Sequence, residues 1–418
     1  MSYGELPIRY VRTFEAGGKS VRSDYYNPPP EPYSYEIYKE GGLIKAKNGR
    51  TGQVEFKDTD AATVIQRAID ALPTGGKIFI KNGTYLITKT LDFSSVGRGA
   101  VLEGESMYKA ILKLADGANV DIIKHDPAEE TYFFEIRNLR IYGNRAKNTS
   151  GRGIVLGIHL HDVQMDRVFV EETPEACMVT GSFWGYRISK CIFERSNTAE
   201  YAVDIRGDSG AFIHCRFGNH PNAKANLLVE ARYVDIIACE FETGGEVGLW
   251  ITTPYVRVIG GYTRDNSQKA NNTYPGMRIG AAGNAVVIGH VFRGGNQERF
   301  GLEIVTDSPN NVIIGNWFFD HVTAPISDHG INTIIKYNRG YVTENSGTAT
   351  FSGDGTTTTF TIAHGLVSTP TTYYVEAASA DAAGDKYVTA DDTNLTVTFA
   401  TAPPSGTDNV VLKWEAKV

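Results

Sequence analysis

The chain has 418 residues, 44 of them glycine, with 41 Lys and Arg against 48 Asp and Glu and a net charge of −7. No Lys/Arg block or basic face recurs at a fixed spacing, which excludes a nucleic-acid footprint. No apolar run is long enough to span a bilayer, and the start, Met1 to Pro7, lacks the basic-plus-apolar pattern of a secretory leader.

Residues 1–57 read as an irregular N-terminal arm. Pro28-Pro29-Pro30-Glu31-Pro32 is a stiff extended piece, and tyrosines at 25, 26, 33, 35 and 38 surround it, able to cover apolar surface of the chain or of a partner subunit. Asp60 then opens a helix over 60–72 in which Val64, Ile65, Ala68, Ile69 and Leu72 share one face. Such a helix closes the open end of a stacked-strand core, where a bare edge exposes backbone groups. Pro73 to Gly76 ends it, and Lys77 to Ile87 alternates cleanly as the first coil, followed by strands at 100–102, 110–114 and 134–142.

From about residue 136 to 340 the chain repeats a unit: a strand of the type Gly-Leu-x-Ile, a polar stretch, then a strand of the type Val-x-Ile-x-x-x-Phe. Aligned on its closing aromatic, the second strand gives Phe169, Phe193, Phe217, Phe241, Tyr262, Phe292 and Phe318, with gaps of 24, 24, 24, 21, 30 and 26 residues. The first strand, aligned on its leading apolar residue, gives Met178, Val203, Leu228, Leu249, Met277 and Leu302. A near-constant period carried by strands means a solenoid in which each turn buries its inner face against its neighbours. The expected fold is therefore all-β: a right-handed, single-stranded parallel β-helix over 58–342 with the N-terminal capping helix. Cys191, Cys215 and Cys239 share one phase and stack inside it as small buried hydrophobes; Cys177 is the fourth cysteine.

After Gly340 the period stops. Residues 347–418 carry short strands separated by Gly, Pro and Asp turns with no helical pattern, which reads as a small antiparallel β-sandwich module.

The Gly75-Gly-Lys-Ile-Phe-Ile-Lys-Asn-Gly-Thr-Tyr85 stretch, behind a capping helix and ahead of Asn/Gly-rich coils, resembles the opening of pectate-lyase-like proteins. That superfamily holds polysaccharide lyases, polygalacturonase-type hydrolases, uronan epimerases and viral tailspikes. The C-terminal unit, with His364-Gly365-Leu366 and Leu412-Lys413-Trp414, resembles small β modules of phage and archaeal-virus tail or fibre proteins. That likeness implies attachment or a homotrimer, and an extracellular, virion or cell-surface location.

Strand faces alternate with period two, so the residue between two inner apolar positions points outward. Coil by coil that column reads Asp204, Leu228, Trp250, Arg278 and Glu303, and a flanking column begins with Arg206, Glu230 and Thr252. An indole among carboxylates and arginines is the composition of a sugar-binding groove, with Trp250, Arg206 and Asp208 as substrate contacts. The catalytic candidates are Asp204, Glu230, Arg278 and Glu303. Asp204 and Glu303 stand four coils apart, roughly 19 Å by strand spacing, too far for the carboxyl pair of a glycosidase. Asp204 with Glu230 fits, as does Asp204 with Asp208 if the turn after Gly207 folds back; Glu303 would pair with Asp307 or Asp328. The lyase families that this fold resembles use an Arg or Lys base beside calcium held by acidic residues. Arg278 suits that base, and calcium enters only for a lyase; no metal-ligand cluster stands out in the chain. His214, His220, His159, His161, His321 and His329 read as surface or turn residues, the last two bracketing Asp328 in a candidate acid/base cluster near the last coil.

The expectation is thus a protein that cleaves an acidic polysaccharide, as lyase or hydrolase, in a groove along the solenoid. The alternative is a non-catalytic tailspike-like or fibre protein of a virion or cell surface that binds glycan or serves as scaffold.

Overall fold

The computed structural model describes residues 32–281 and 283–418, together with the short strands Glu15–Ala16 and Lys19–Ser20. Pro28 to Glu31, Tyr25 and Tyr26 fall outside the described residues. The body is a right-handed parallel β-solenoid whose strands join in a single 30-stranded ladder. One coil gives the pattern. Tyr201–Ile213 bends at Ser209 to supply two faces, and Arg216–His220 supplies the third. The next coil repeats it: Ala225–Ile237 pairs in parallel with the former and Glu240–Gly244 with the latter.

Period-two alternation sends one side of every strand into the core. Met178, Val203, Leu227, Leu249, Met277 and Leu302 stand in register, each fully buried. Leu227, and not Leu228, is the inner member of this column; Leu228 belongs to the outward one. The aromatic column is also displaced at two rungs. Val170, Phe193, Phe217, Phe241, Thr263, Phe292 and Phe318 form the inner line, while Phe169 and Tyr262 each lie one residue off it and face outward. A shift of one residue in a strand reverses the side-chain face. Phe193, Phe217 and Phe241 stack face to face with centroids 5.3 and 5.2 Å apart. Cys191, Cys215 and Cys239 line the interior as free buried thiols.

Each coil turns its corner through a left-handed residue. Register places Phe133, Asp162, Gly185, Ser209, Tyr233, Tyr255, Asn284, Asn310 and Asn332 on one such corner, all with φ between 51° and 71°. Asn, Asp and Gly tolerate that region, whereas a bulky residue there costs about 1–2 kcal/mol.

The helix, α1 (Ala61–Asp70), caps the N-terminal end as expected, with Asp60 accepting from the backbone N–H of Thr63 at 3.0 Å. Ala61, Ala62, Val64, Ile65, Ala68 and Ile69 seal the first coils. The segment before it is not irregular. Tyr35–Glu40, Leu43–Asn48 and Val54–Asp58 form an antiparallel meander, and Tyr35–Glu40 also pairs in parallel with Gly76–Ile80. Its alternation is short and interrupted by lysines, so the apolar signal is weak. Of the N-terminal tyrosines, Tyr35 is buried and Tyr33 stacks on Phe79.

A second core lies beyond the solenoid. Glu344–Gly353, Gly406–Lys417 and Thr372–Ala377 form one three-stranded antiparallel sheet. Thr359–Ala363, Asn394–Phe399 and Lys386–Ala390 form the other, with Phe360, Leu395, Val397 and Leu412 among the residues between them. The His364-Gly-Leu366 motif is a turn fastened from within: buried His364 accepts the Leu366 N–H through Nδ1 at 3.0 Å and donates from Nε2 to the Asp391 carbonyl at 3.0 Å.

Candidate functional site

The strands Tyr201–Ile213, Ala225–Ile237, Val247–Ile251, Met277–Ile279 and Phe300–Ile304 lie on successive rungs. Their pairing puts Asp204, Leu228, Trp250, Arg278 and Glu303 side by side in one column. The indole of Trp250 is outward and half-buried. Arg278 lies over its ring, 5.1 Å from the centroid, and donates from Nε to Glu303 at 2.6 Å. From the other direction the Tyr201 ring meets Trp250 edge to face at 6.1 Å. Leu228, on the rung between those rings, is left 2% exposed although its side chain points outward. One face of the indole is therefore already taken by a cation, and what remains for a ligand is its edge and the free side of the guanidinium.

The flanking column is built the same way. Arg206 bridges Asp204 and Glu230, with Nη2 2.9 Å from Asp204 and Nε 3.1 Å from Glu230. The pairing of Asp204 with Glu230 thus has a guanidinium between its members. Asp208 does not fold back toward Asp204, because Tyr201–Ile213 runs on as one strand through a bend at Gly207, whose φ is 114°. Asp208 accepts from Arg232 at 2.8 Å through one oxygen; its other, Oδ1, is buried without a hydrogen-bond partner. Near Glu303, Asp307 is exposed on a turn and Asp328 caps another turn by accepting from Gly330 and Thr333. Beside Asp204, Arg152, Glu175, Thr198 and Tyr201 help to line a hollow of about 160 Å³, smaller than an enclosed ligand pocket. The face reads as an open surface on which carboxylates and arginines have neutralised one another.

A second ionic column escaped the sequence reading. Glu171, Glu194 and Glu242 are almost wholly buried directly after the inner residues Val170, Phe193 and Phe241. Arg140 and Arg195 close on Glu171, Arg216 on Glu194 at 3.1 Å and on Glu242, and Arg264 on Glu242. Burial raises the Glu194 carboxyl above its usual range despite Arg216 and Arg195. The signal was present as a glutamate recurring one place after the inner column. The arginines cover these carboxylates, so the network pins coils together and presents no free acid.

The histidines divide differently from expectation. His214 is exposed, but His220 is the buried end of a strand and not a loop residue. It accepts the Ser196 N–H through Nδ1 at 3.1 Å and donates from Nε2 to the Phe193 carbonyl at 3.1 Å. His321 does not gather with His329 and Asp328. Its side chain is buried, with Nδ1 3.7 Å from Glu298 Oε2. His329 meets Ser327 at 3.2 Å, His159 meets the Pro127 carbonyl at 3.0 Å, and His161 stacks on Tyr132.

Glu298 accepts from both the backbone N–H and the side-chain amide of Asn266, at 3.0 and 2.9 Å, tying together two corner loops. Burial pushes its carboxyl up to about 8. A carboxyl raised in the folded state contributes stability that is whole below the unfolded value, about 4.3, and is lost as pH rises through about 8. Glu298→Gln keeps the acceptor and removes the charge. The variant is expected to hold its Tm between pH 7 and 8.5, a range over which the wild type declines; thermal scans across that range check it.

Together these features define an extended β-solenoid with an aromatic and ion-paired outer face. No family model matches the chain. A stretch of 129 residues is 33% identical to the mannuronan C5-epimerase AlgE3 of Azotobacter vinelandii, covering 28% of this chain and 7% of that protein's length. Among solved structures, ORF18 of Geobacillus virus E2 is similar with a TM-score of 0.57 at 15% identity, covering 83% of this chain and 75% of that one. The A-module of the A. vinelandii mannuronan C-5 epimerase AlgE4 gives 0.52 at 17% identity, over 67% and 83% of the two chains. The N-terminal fragment of bacteriophage phi29 gene product 12 gives 0.54 at 11%, over 67% and 55%. At these identities the likeness is one of fold. Among the described residues, no three His, Cys, Asp or Glu side chains gather where a metal ion could sit, and no helix is long and apolar enough to cross a membrane.

Proposed function

We propose that this chain is a rod-like glycan-binding protein of the tailspike or fibre kind, acting at a virion or cell surface through the outer face that carries Arg206, Asp208 and Trp250. The observation that carries this reading is the pairing of the carboxylates: Asp204 and Glu230 share Arg206, and Glu303 holds Arg278. Arg206 engages both oxygens of Asp204, and one oxygen each of Glu230 and Glu303 is held by Arg206 and Arg278, whereas a glycosidase turns its carboxyl pair to the substrate. A guanidinium that is both stacked and ion-paired is instead an anchor for hydroxyls and carboxylates. The likeness in fold to two viral proteins supports the viral part of this reading.

The second reading is action on a uronan, favoured by the 129-residue match to a mannuronan C5-epimerase. In that case Asp204, Glu230, Arg278 and Glu303 are the residues to vary, with and without calcium.

The test is incubation with mannuronan, pectate and a neutral β-glucan. Retention of one polymer on an affinity gel, with no unsaturated product, no new reducing end and no change in uronate stereochemistry by NMR, supports binding. Any of those products supports the second reading. Trp250→Ala and Arg206→Ala are each expected to weaken retention about tenfold, the scale of one lost charge-assisted contact. Unchanged retention in both removes this face. Sedimentation of the full chain tests the homotrimer implied by the C-terminal module.

A further inference from the structure

The left-handed corner next to this face carries aromatic rings where small polar residues fit better. Phe133, Tyr233 and Tyr255 have φ of 64°, 55° and 66°, and later coils fill the same corner with Asn284, Asn310 and Asn332. None of the three aromatics is there for the core, since they are 43%, 55% and 46% exposed. Beside them, in the outward column Tyr132, His161, Trp184, Asp208 and Arg232, Trp184 is 62% exposed.

Their orientations are ordered. Tyr132 and His161 stack at 4.6 Å and 16°, and Tyr233 and Tyr255 at 5.0 Å and 2°, so these rings face along the rod and turn their edges outward. Trp184 stands across His161 at 86°. Its plane therefore runs along the rod, and its broad face flanks anything laid lengthwise there. Register orders the rings along the rod: Tyr132 with Phe133, His161 on the next rung, Trp184 on the third, then Tyr233 and Tyr255 on the fifth and sixth, about 4.8 Å per rung by the strand spacing. The fourth rung, between Trp184 and Tyr233, carries Asp208, which is ion-paired at 2.8 Å to the exposed guanidinium of Arg232 beside Tyr233.

From this geometry we infer that the Phe133–Trp184–Tyr255 corner is the track on which a linear polysaccharide lies parallel to the solenoid axis. Sugar rings stack on Trp184, and their hydroxyls meet the tyrosine edges and the exposed Arg232 guanidinium. Exposed rings on successive rungs, with one charged rung between the two groups of them, suit the apolar faces and hydroxyls of a sugar polymer, whereas a second copy of this chain would need a contiguous apolar centre. The inference rests on the glycan-binding reading and names the residues and direction of the same broad face. Arg206 lies two residues from Asp208 on the same strand.

The probes are mannuronan, pectate and a neutral β-glucan, titrated against the full chain with tryptophan fluorescence and affinity electrophoresis as readouts. Trp184→Ala is expected to lower affinity at least tenfold and to remove most of the fluorescence change. The double variant Tyr233→Asn with Tyr255→Asn is expected to lose affinity comparably while its Tm stays level or rises, because Asn suits the corner; a merely structural role would lower the Tm. Undiminished affinity in both variants, with loss in Arg206→Ala or Trp250→Ala, overturns the track and leaves the glycan-binding reading standing. No binding of any polymer by the wild type overturns both. Dissociation of an oligomer in Trp184→Ala, without loss of polymer affinity, assigns the corner to a second copy and also overturns the track.

Discussion

Phe217→Ala is expected to lower the unfolding free energy by about 3–5 kcal/mol, the usual range for deleting a fully buried phenyl ring. Phe217 is 0% exposed and is the middle ring of three, stacked on Phe193 at 11° and on Phe241 at 8°. Phe212 also meets it edge-on at 5.5 Å. Removing it leaves both neighbouring rings without a partner, and the rungs cannot close the gap because backbone pairing fixes their spacing. Coil-to-coil contacts carry the stability of a solenoid, so the weakened rung splits the rod into two blocks. Denaturant unfolding followed by circular dichroism checks it. A loss under 1 kcal/mol would mean that the neighbouring coils collapse into the cavity.

Acidification from pH 7 to 4 is expected to unfold the protein well before its carboxylate pairs are protonated. Burial lowers His125, His290 and His321 to about 4 and His220 to about 3. A histidine depressed in the folded state contributes stability that is present above its unfolded value, about 6.5, and is lost as pH falls toward the folded one. The geometry gives the reason: a second proton on His220 would face the Ser196 N–H, and both ring nitrogens of His125 are buried among apolar groups without a partner. Glu298 acts in the opposite direction, favouring the folded state most at low pH, so stability peaks at about pH 7, where proton uptake by the four unfolded histidines equals the proton Glu298 releases on unfolding. The check is the denaturation midpoint as a function of pH. His220→Gln should flatten the acid limb by about one proton relative to the wild type. A midpoint that stays level from pH 7 to 4 would show that these rings are hydrated in solution.

Much of the architecture was legible from spacing. Gaps near two dozen residues between strand-like segments require rung-on-rung stacking, and the outward order Asp204, Leu228, Trp250, Arg278, Glu303 stands in register. The errors came where composition misled. Phe169 and Tyr262 were aligned because they are aromatic, whereas the inner places belong to Val170 and to Thr263, which meets His290 at 2.6 Å. The meander before α1 was missed because its inward places alternate with charged residues over only six positions per strand. Trp184 drew no notice in sequence because a bulge between Val179 and Ser182 breaks its phase with the repeat.

By itself the sequence determined the solenoid, its capping helix, its C-terminal module and the outward column through Trp250, because alternation and a steady period fix where most Cβ atoms point. Only the tertiary structure decided what each long side chain then does. It laid Arg278 over the Trp250 ring, set Arg206 between two carboxylates and buried His220 against Ser196. A side chain of several rotatable bonds takes its direction from the neighbours on the rungs above and below, which the order of residues along the chain does not encode.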